Sequence, residues 1–305
     1  MRYYIDEATP LELNEIRTRM YRAIPESSNG RYSLGELKPV DEVYRDFLSA
    51  GDSVAVMRYR GTIVGYIHFG RRREETYSSE ETGHIFDIFV EKTHRKRGIA
   101  TRLLDHALYR MYSQGYRKVS GNTFRGGPGW EILLKRGFRP VSVCLSIESQ
   151  SNARRGVCDV SLGVPADLSM FSEDLLVFGA ELMQDLSVNL SGLFYRLNAI
   201  IEKGATLLIA HRSDSPAGFL VYSVFEDLMT YDFLGYLDFV FVVNPFRRLG
   251  VAGSLLYESL RRLKGVQARE MFFEYDCDSY CHKWALSMGM KEFSVLLEKD
   301  LDVLR

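Results

Sequence analysis

Two short turns in the chain combine arginines, a glycine and an alanine in an order suited to holding an anion. Residues 95–100 read Arg-Lys-Arg-Gly-Ile-Ala, and residues 247–252 read Arg-Arg-Leu-Gly-Val-Ala. Each turn precedes a segment with helical spacing of apolar residues, so unpaired N–H groups and the positive end of a helix dipole lie beside the glycine. Gly98 and Gly250 leave room for close approach of a ligand, and the arginines add charge. The pattern predicts a pyrophosphate site that needs no metal.

The two turns occupy matching places in a long internal repeat. Three pairs of glycines mark this repeat: Gly65 with Gly218, Gly98 with Gly250, and Gly137 with Gly289. The separation is 153 residues for the first pair and 152 for the other two. A repeat of this length in a chain of 305 residues indicates two homologous domains rather than a solenoid. We expect these domains to cover residues 1–150 and 155–305, with a polar boundary at 149–156.

Both halves predict the same order of elements, which indicates an α/β (α+β) fold. Hydrophobic patterns and turn residues predict strands at 3–7, 53–57, 62–69, 84–90, 118–124 and 138–147, and again at 157–161, 206–211, 217–225, 236–243, 270–275 and 291–297. Helices are predicted after Thr9, at 41–48, 99–112 and 129–135, and then at 166–202, 250–263 and 279–287. Each turn follows the fourth strand of its half. A dinucleotide-binding turn follows the first strand, so that fold is excluded.

Composition narrows the class of protein further. The formal net charge of −1 gives no general attraction to nucleic acid or to an anionic membrane. The sequence shows no apolar signal segment and no apolar run long enough to span a bilayer, and its four cysteines are few for a disulfide scaffold. Cys277, Cys281 and His282 lack the second ligand pair of a structural zinc site. We therefore expect a cytoplasmic protein without metal, nucleic acid or membrane partners.

The chain resembles the GNAT superfamily of N-acetyltransferases. The resemblance rests on residues 86–104 and 238–256, and on the glycines at 137 and 289. Its layout is similar to the double GNAT proteins of the mycothiol synthase type. The resemblance implies two tandem domains, each a mixed and mostly antiparallel sheet flanked by helices, with acetyl-CoA or another short acyl-CoA between the fourth and fifth strands. It assigns donor binding to the following residues: Ile88, Val90, Arg95, Arg97, Gly98, Ile99, Ala100, Val240, Val242, Arg247, Leu249, Gly250, Val251 and Ala252.

In this family a carboxylate on the fourth strand often takes the proton from the attacking amine. Asp87 and Asp238 are the carboxylates on that strand, and they are one position out of register between the halves. With a side-chain period of two, they are expected to point to opposite faces. Asp238 stands where the family often has its carboxylate, so the sequence favours the second half as the catalyst.

The group that protonates the leaving thiolate is less well defined by the sequence. The position where the family often has a tyrosine falls on Leu133 in the first half and Ala285 in the second, and neither side chain can donate a proton. Tyr275, Tyr280 and Cys277 are nearby candidates, and water is another.

The sequence thus predicts an acyl-CoA-dependent N-acyltransferase, monomeric or homodimeric, that acetylates a primary amine of a small molecule or protein by direct attack. One alternative is an antibiotic or amino-sugar acceptor, attracted by acidic residues at 74–75 and 80–81. Others are a non-catalytic acyl-CoA sensor or scaffold, and a chain with one catalytic and one degenerate half.

Overall fold

The protein is described by a computed structural model in which the chain forms two compact units. The structure describes residues 3–28, 30–43, 52–72, 82–151, 156–182, 190–277, 279 and 281–301. Unit 1 comprises Met1–Cys144, Asp276–Asp278 and Phe293–Arg305, and unit 2 comprises Leu145–Tyr275 and Ser279–Glu292. Each unit therefore contains residues from both halves of the sequence.

Unit 1 is a sheet flanked by helices. Its elements are β1 (Tyr4–Glu7), α1 (Pro10–Ser27), α2 (Val40–Val43), β2 (Ser53–Tyr59), β3 (Thr62–Arg71), β4 (Thr82–Val90), α3 (Ile99–Ser113), β5 (Lys118–Thr123), α4 (Pro128–Lys135) and the start of β6 (Arg139–Glu148). The strands lie in the order β1-β2-β3-β4-β5, followed by the C-terminal strand β12 (Lys291–Asp300). All these pairs are antiparallel except β4 with β5, which is parallel.

Helix α1 begins where the sequence places it and is tied to the sheet by charge. Thr9 precedes the helix, Pro10 is its first residue, and the Thr9 N–H donates to Glu12 Oε2 at 2.9 Å. The guanidinium of Arg58 on β2 donates to both carboxylate oxygens of Glu12, at 2.6 and 2.9 Å. This pair fixes the start of α1 against the sheet on the side away from α3.

The main core of unit 1 lies between the sheet and α3. Leu103, Ala107 and Met111 recur at helical spacing on α3 and are fully buried. They pack with Ile67 and Phe69 of β3, and with Val295 and Leu297 of β12. The C-terminal strand thus supplies part of the hydrophobic core of unit 1.

Unit 2 repeats this plan. Its elements are the end of β6, β7 (Asp159–Leu162), a 3-10 helix (Pro165–Phe171), α5 (Ser172–Leu182), α6 (Leu190–Glu202), β8 (Thr206–Arg212), β9 (Ser215–Glu226), β10 (Phe233–Val242), α7 (Val251–Gly265), β11 (Ala268–Asp276) and α8 (Cys281–Ser287). The strand order is β6-β11-β10-β9-β8-β7, and β10 and β11 form the parallel pair. The mixed, mostly antiparallel sheet flanked by helices that the sequence predicts is confirmed in each unit.

The last strand of each half is exchanged relative to the repeat. β12 pairs with β5, with Val295 opposite Thr123 and Asp300 opposite Lys118. The end of β6 runs beside β11, where the Ser149 N–H donates to Arg269 O at 3.1 Å. The sequence repeat places β6 with β5 and β12 with β11, and it contains no signal for the exchange.

Two predicted helices differ in detail from the structure. The region 166–202 begins as a 3-10 helix and continues as α5 and α6, and residues 183–189 lie outside the described part. The helix predicted at 41–48 is described only as Val40–Val43, because residues 44–50 also lie outside it.

Candidate functional site

In unit 1 the two parallel strands of the sheet separate into a cleft. Paired positions of β4 and β5 run from Thr82 with Lys118 to Ile85 with Gly121. Beyond that point the strands line a cavity of about 970 Å³, together with the 95–101 turn, α4 and the end of α1. This volume is at the upper end of the usual range for small-molecule sites.

A β-bulge in β4 determines which groups face this cleft. Asp87 pairs with His68 and Ile85 pairs with Phe69, so Phe86 is the extra residue. After the bulge, the Glu91 N–H donates to Val64 O on β3 at 2.9 Å. Because N–H directions alternate along a strand, the amides of Ile88 and Val90 point away from β3 toward the cleft.

Gly65 lets β3 approach the end of β4 closely. A methyl group added at Gly65 would lie 2.8 Å from Phe89 O. The equivalent Gly218 in unit 2 has the same constraint, with Phe241 O at 2.4 Å from an added methyl group. This close backbone approach explains why the repeat has glycine at both positions.

The predicted anion-binding turn of unit 1 has a left-handed backbone at Lys96 (φ 60°) and at Gly98 (φ 73°). Helix α3 starts directly after Gly98 without a side-chain cap, and its first backbone bond runs from the Arg102 N–H to Gly98 O at 3.0 Å. The N–H groups of the first turn therefore have no partner within the helix. Nothing in the protein lies within 4 Å of a methyl group added at Gly98. Glycine is therefore required here by the left-handed backbone angle and not by contact with a neighbouring residue.

Arg95 anchors the turn rather than only adding charge to it. Its Nε donates to Val90 O at 2.9 Å, and its guanidinium also binds Glu26 of α1 at 2.6 Å. The arginine lowers the pKa of the Glu26 carboxyl. Arg97, by contrast, is exposed and donates to the Tyr3 hydroxyl at 3.0 Å.

Asp87 lines the cleft of unit 1. Its Oδ2 accepts a hydrogen bond from the Tyr66 hydroxyl at 2.8 Å. Burial raises the pKa of the Asp87 carboxyl, while the Tyr66 hydroxyl, the Ile88 amide and the neighbouring His68 oppose this effect. A raised pKa in a cleft is a property that a general base needs near neutral pH.

Unit 2 repeats the strand separation, the bulge and the turn. β10 and β11 are paired from Phe233 only as far as Tyr236, and Asp238 is the extra residue of the bulge. The turn is left-handed at Arg248 (φ 63°) and Gly250 (φ 85°), and helix α7 starts directly after it. Both turns therefore have the same backbone conformation.

Smaller details of the turn also recur in unit 2. The Arg247 Nε donates to Val242 O at 3.2 Å, as Arg95 does to Val90 in unit 1. The Val243 N–H donates to Ala217 O on β9 at 3.0 Å, so alternation directs the amides of Val240 and Val242 away from β9.

The turn of unit 2 has close neighbours from its own chain. The Cys158 N–H donates to Ser254 Oγ at 3.3 Å, and a methyl group added at Gly250 would lie 3.1 Å from Val157 Cγ2. On another side of α7, a methyl group added at Gly253 would lie 3.4 Å from Met288 Cε. Residues 156–158 and Met288 therefore narrow the space around the start of this helix.

The two strand carboxylates do not point to opposite faces, and this expectation was wrong. Asp238 Oδ2 accepts from the Ser223 hydroxyl at 2.7 Å, and burial raises the pKa of the Asp238 carboxyl. Ser223 is the repeat equivalent of Gly70, which lies on the same face of its strand as Tyr66. Asp87 directly follows the extra residue of the bulge in unit 1, whereas Asp238 is itself the extra residue of the bulge in unit 2. Because the alternation of side chains is interrupted at each bulge, both carboxylates lie on the face of the sheet opposite the helix that follows the turn, α3 or α7.

The candidate proton donors of unit 2 are separated by the structure. The Tyr275 hydroxyl lies 2.5 Å from His282 Nδ1, at the start of α8, and is not the partner that binds Asp238. Tyr280 lies outside the described residues. His282 is a partner that the sequence analysis did not identify, because it follows from the packing of α8 on β11. Leu133 and Ala285, at the family's tyrosine position, are buried apolar residues.

Two further observations concern metals and membranes. Within the described ranges, no group of three or more His, Cys, Asp or Glu side chains is arranged to hold a metal ion. No helix in that same part of the chain has both the length and the apolar character to cross a bilayer. The acidic residues at 74–75 and 80–81 lie outside it.

Comparison with known proteins identifies the class. Residues 14–127 match the model of the acetyltransferase (GNAT) family. This match covers most of the first half of the chain, and the whole chain has the tandem GNAT fold that the resemblance implies. A search of curated proteins finds no match to this sequence.

Solved structures show the same fold over the whole chain. A GCN5-related N-acetyltransferase from Sphaerobacter thermophilus is 17 % identical, with a TM-score of 0.61 over 98 % of this chain and 96 % of that one. A tandem GNAT protein from the clavulanic acid biosynthesis pathway is 11 % identical, with a TM-score of 0.52 over 98 % and 99 %. A glucosamine N-acetyltransferase region of a fungal multi-domain GH3 β-N-acetylglucosaminidase is 13 % identical, with a TM-score of 0.56 over 97 % of this chain and 38 % of that one.

Proposed function

We propose that this protein transfers an acetyl or other short acyl group from coenzyme A to a primary amine, and that the cleft of unit 1 binds the donor. The observation that carries this proposal is the cavity of about 970 Å³ between β4 and β5. It is lined by the start of α3 and by the β4 segment whose amides point into it. The family of residues 14–127 supports the donor class.

The donor would lie with its pyrophosphate at the first turn of α3 and its thioester beside β4. The amides of Gly98 to Ala100 would contact the phosphates. The amide of Val90 would stabilise the negative charge that develops on the thioester oxygen. The corresponding residues in unit 2 are Val242 and Gly250 to Ala252.

The reaction requires an amine that has lost a proton. The substrate ammonium gives one proton to the Asp87 carboxylate, and the free amine nitrogen then forms a bond to the thioester carbon. The carbon–sulfur bond breaks, and the electron pair leaves with sulfur. The nitrogen loses its second proton, and the coenzyme A thiolate takes up one proton, through water in unit 1. The products are the amide, coenzyme A and a protonated Asp87, which then returns its proton to solvent.

Unit 2 is the alternative location for the same chemistry, and the sequence favours it through Asp238. In that assignment Asp238 accepts the proton, and Tyr275 or Tyr280 donates one to the thiolate. Val157 and Met288 lie close to the start of α7, which supports unit 1 as the main donor site. Calorimetric titration of acetyl-CoA into variants of the two turns distinguishes a donor site in unit 1 from one in unit 2.

Matched charge variants at the two turns test where the donor binds. Ala100→Asp and Ala252→Asp each place a carboxylate in the first turn of a helix, where the helix dipole favours a negative charge. The same carboxylate repels a pyrophosphate. We expect Ala100→Asp to weaken acetyl-CoA binding by at least about tenfold in calorimetry, equivalent to about 1.4 kcal/mol. We expect Ala252→Asp to bind like the wild type.

The opposite pattern would place the donor in unit 2, and loss of one site in each variant would show two donor sites. Absence of acetyl-CoA binding by the wild type would overturn the proposal for that donor. Binding without release of coenzyme A in the presence of glucosamine, spermidine or a lysine peptide would favour the sensor alternative. Ala100→Ser, which adds a hydroxyl without charge, is the control for the change in size.

A further inference from the structure

A row of polar side chains lies on the β3–β4 face opposite α3 in unit 1. The Tyr66 hydroxyl donates to Asp87 at 2.8 Å. His68, which pairs with Asp87 across the strands, has its Nε2 3.4 Å from Asp52 Oδ2. Tyr66 and His68 are at most 4 % exposed, and the Asp52 side chain is 1 % exposed. Buried polar groups are costly unless they satisfy one another, so this row requires an explanation.

The repeat shows that the fold itself does not need these groups. The equivalents of Tyr66 and Asp87 in unit 2 are Phe219 and Phe239, whose rings are stacked with centroids 5.7 Å apart. The equivalent of His68 is Val221, a fully buried residue of the apolar core. The same strand pairing is therefore stable with apolar side chains alone.

We propose that Tyr66 is a positioning residue for Asp87, and that Tyr66 and the neighbouring His68–Asp52 pair form a buried polar network that prepares this carboxylate to accept the proton of the amine. The inference deepens the proposed acyltransfer in unit 1 and rests on it. It also implies that unit 2 has no such network, because the equivalent residues Phe219, Val221 and Phe239 pack in its apolar core.

Each member of the network has a separate effect on the carboxylate. The Tyr66 hydroxyl donates to the ionised form and fixes the direction in which Oδ2 points. The neighbouring His68 also favours the ionised form. Burial acts in the opposite direction and raises the pKa of Asp87. Burial thus makes the carboxylate more basic, while Tyr66 and His68 act against its protonation.

Other charged or titratable groups around the network have their own partners. His84, on the same strand, has its Nδ1 2.8 Å from Ser120 Oγ of β5. Glu26, which lines the cleft from α1, binds Arg95 at 2.6 Å. These pairs should change little when Tyr66 is altered, so an effect on the pH profile can be assigned to Asp87.

The test replaces network residues by their counterparts from the repeat. Tyr66→Phe and His68→Val introduce the side chains that unit 2 has at Phe219 and Val221, so folding should be retained. A general base works only when deprotonated, and removing a donor raises its pKa. The acidic limb of kcat/KM should therefore move to higher pH, by about one pH unit for Tyr66→Phe and by less for His68→Val. The KM for acetyl-CoA should stay within about twofold of the wild type.

Ser223→Ala is the matched control, because it removes the hydroxyl that donates to Asp238 and should leave the limb in place. A carboxyl ¹³C NMR titration of Asp87, assigned with Asp87→Asn, gives a readout that needs no acceptor, and its midpoint should rise in Tyr66→Phe. An unchanged limb or midpoint in Tyr66→Phe would overturn the inference. If the acidic limb of kcat/KM moves only in Ser223→Ala, the inference about Tyr66 is overturned and Asp238 is the general base. The proposed acyltransfer would not be affected by that result. Absence of turnover, by contrast, is a failure of the proposed function, and the NMR midpoint still decides the role of Tyr66.

Discussion

The double hydrogen bond between Glu12 and Arg58 predicts a pH-dependent part of the stability of unit 1. The guanidinium of Arg58, more than any other group, holds the pKa of Glu12 at about 2, compared with 4.5 for an ordinary glutamate. This difference corresponds to about 3 kcal/mol at about 1.4 kcal/mol per pH unit. Both side chains keep some contact with water, being 22 % and 11 % exposed. Allowing for solvent screening, we expect about 1–2 kcal/mol.

Because the folded state lowers this pKa, the contribution is present above pH 4.5 and is lost as the pH falls toward 2. Glu12→Gln should therefore be less stable than the wild type to urea at about pH 7, and the difference should fall to less than about half of that value at about pH 3. Glu131→Gln is the control, because its pair with Lys135 is 71 % and 76 % exposed and should contribute little. A stability difference that is equal at both pH values would refute the electrostatic explanation and leave a packing effect.

Two further perturbations test the fold. Ending the chain after Met290 removes β12 and should accelerate hydrogen exchange in 118–123, its partner strand, more than in β11; unchanged exchange in 118–123 would contradict the strand pairing. Gly65→Ala should cost about 1–3 kcal/mol in urea unfolding, because the added methyl group meets Phe89 O at 2.8 Å. Gly35→Ala is its control, with nothing within 4 Å of an added methyl group, and equal costs for the two variants would contradict the close contact.

Local signals in the sequence were sufficient for the elements of the fold. The glycines at 98 and 250 require left-handed backbone, and the apolar spacing after them gives helices that start at Ile99 and Val251. The fold class followed from the order of these elements. The donor position between the fourth and fifth strands, beside these turns, came from the resemblance to the GNAT superfamily.

The contacts of the candidate site depend on pairing between strands, which local signals do not specify. The bulges at Phe86 and Asp238 shift the register by one residue, and a period of two cannot reveal such a shift. The hydrogen bond from Tyr66 to Asp87 depends on that shift. The contact between Tyr275 and His282 depends on how α8 packs, and no sequence spacing indicates it.

The exchanged strands make the two halves of this duplicated chain dependent on each other during folding. Unit 1 has most of its residues in the first 144 positions, yet its sheet needs β12, which is synthesised after every strand of unit 2. Until then β5 has an unpaired edge, which is a site for wrong pairing. A cut between the halves would give each fragment a final strand that belongs wholly or partly to the other unit. The duplication thus produced a chain in which neither half contains all the strands of one unit, although each half contains a complete sequence repeat.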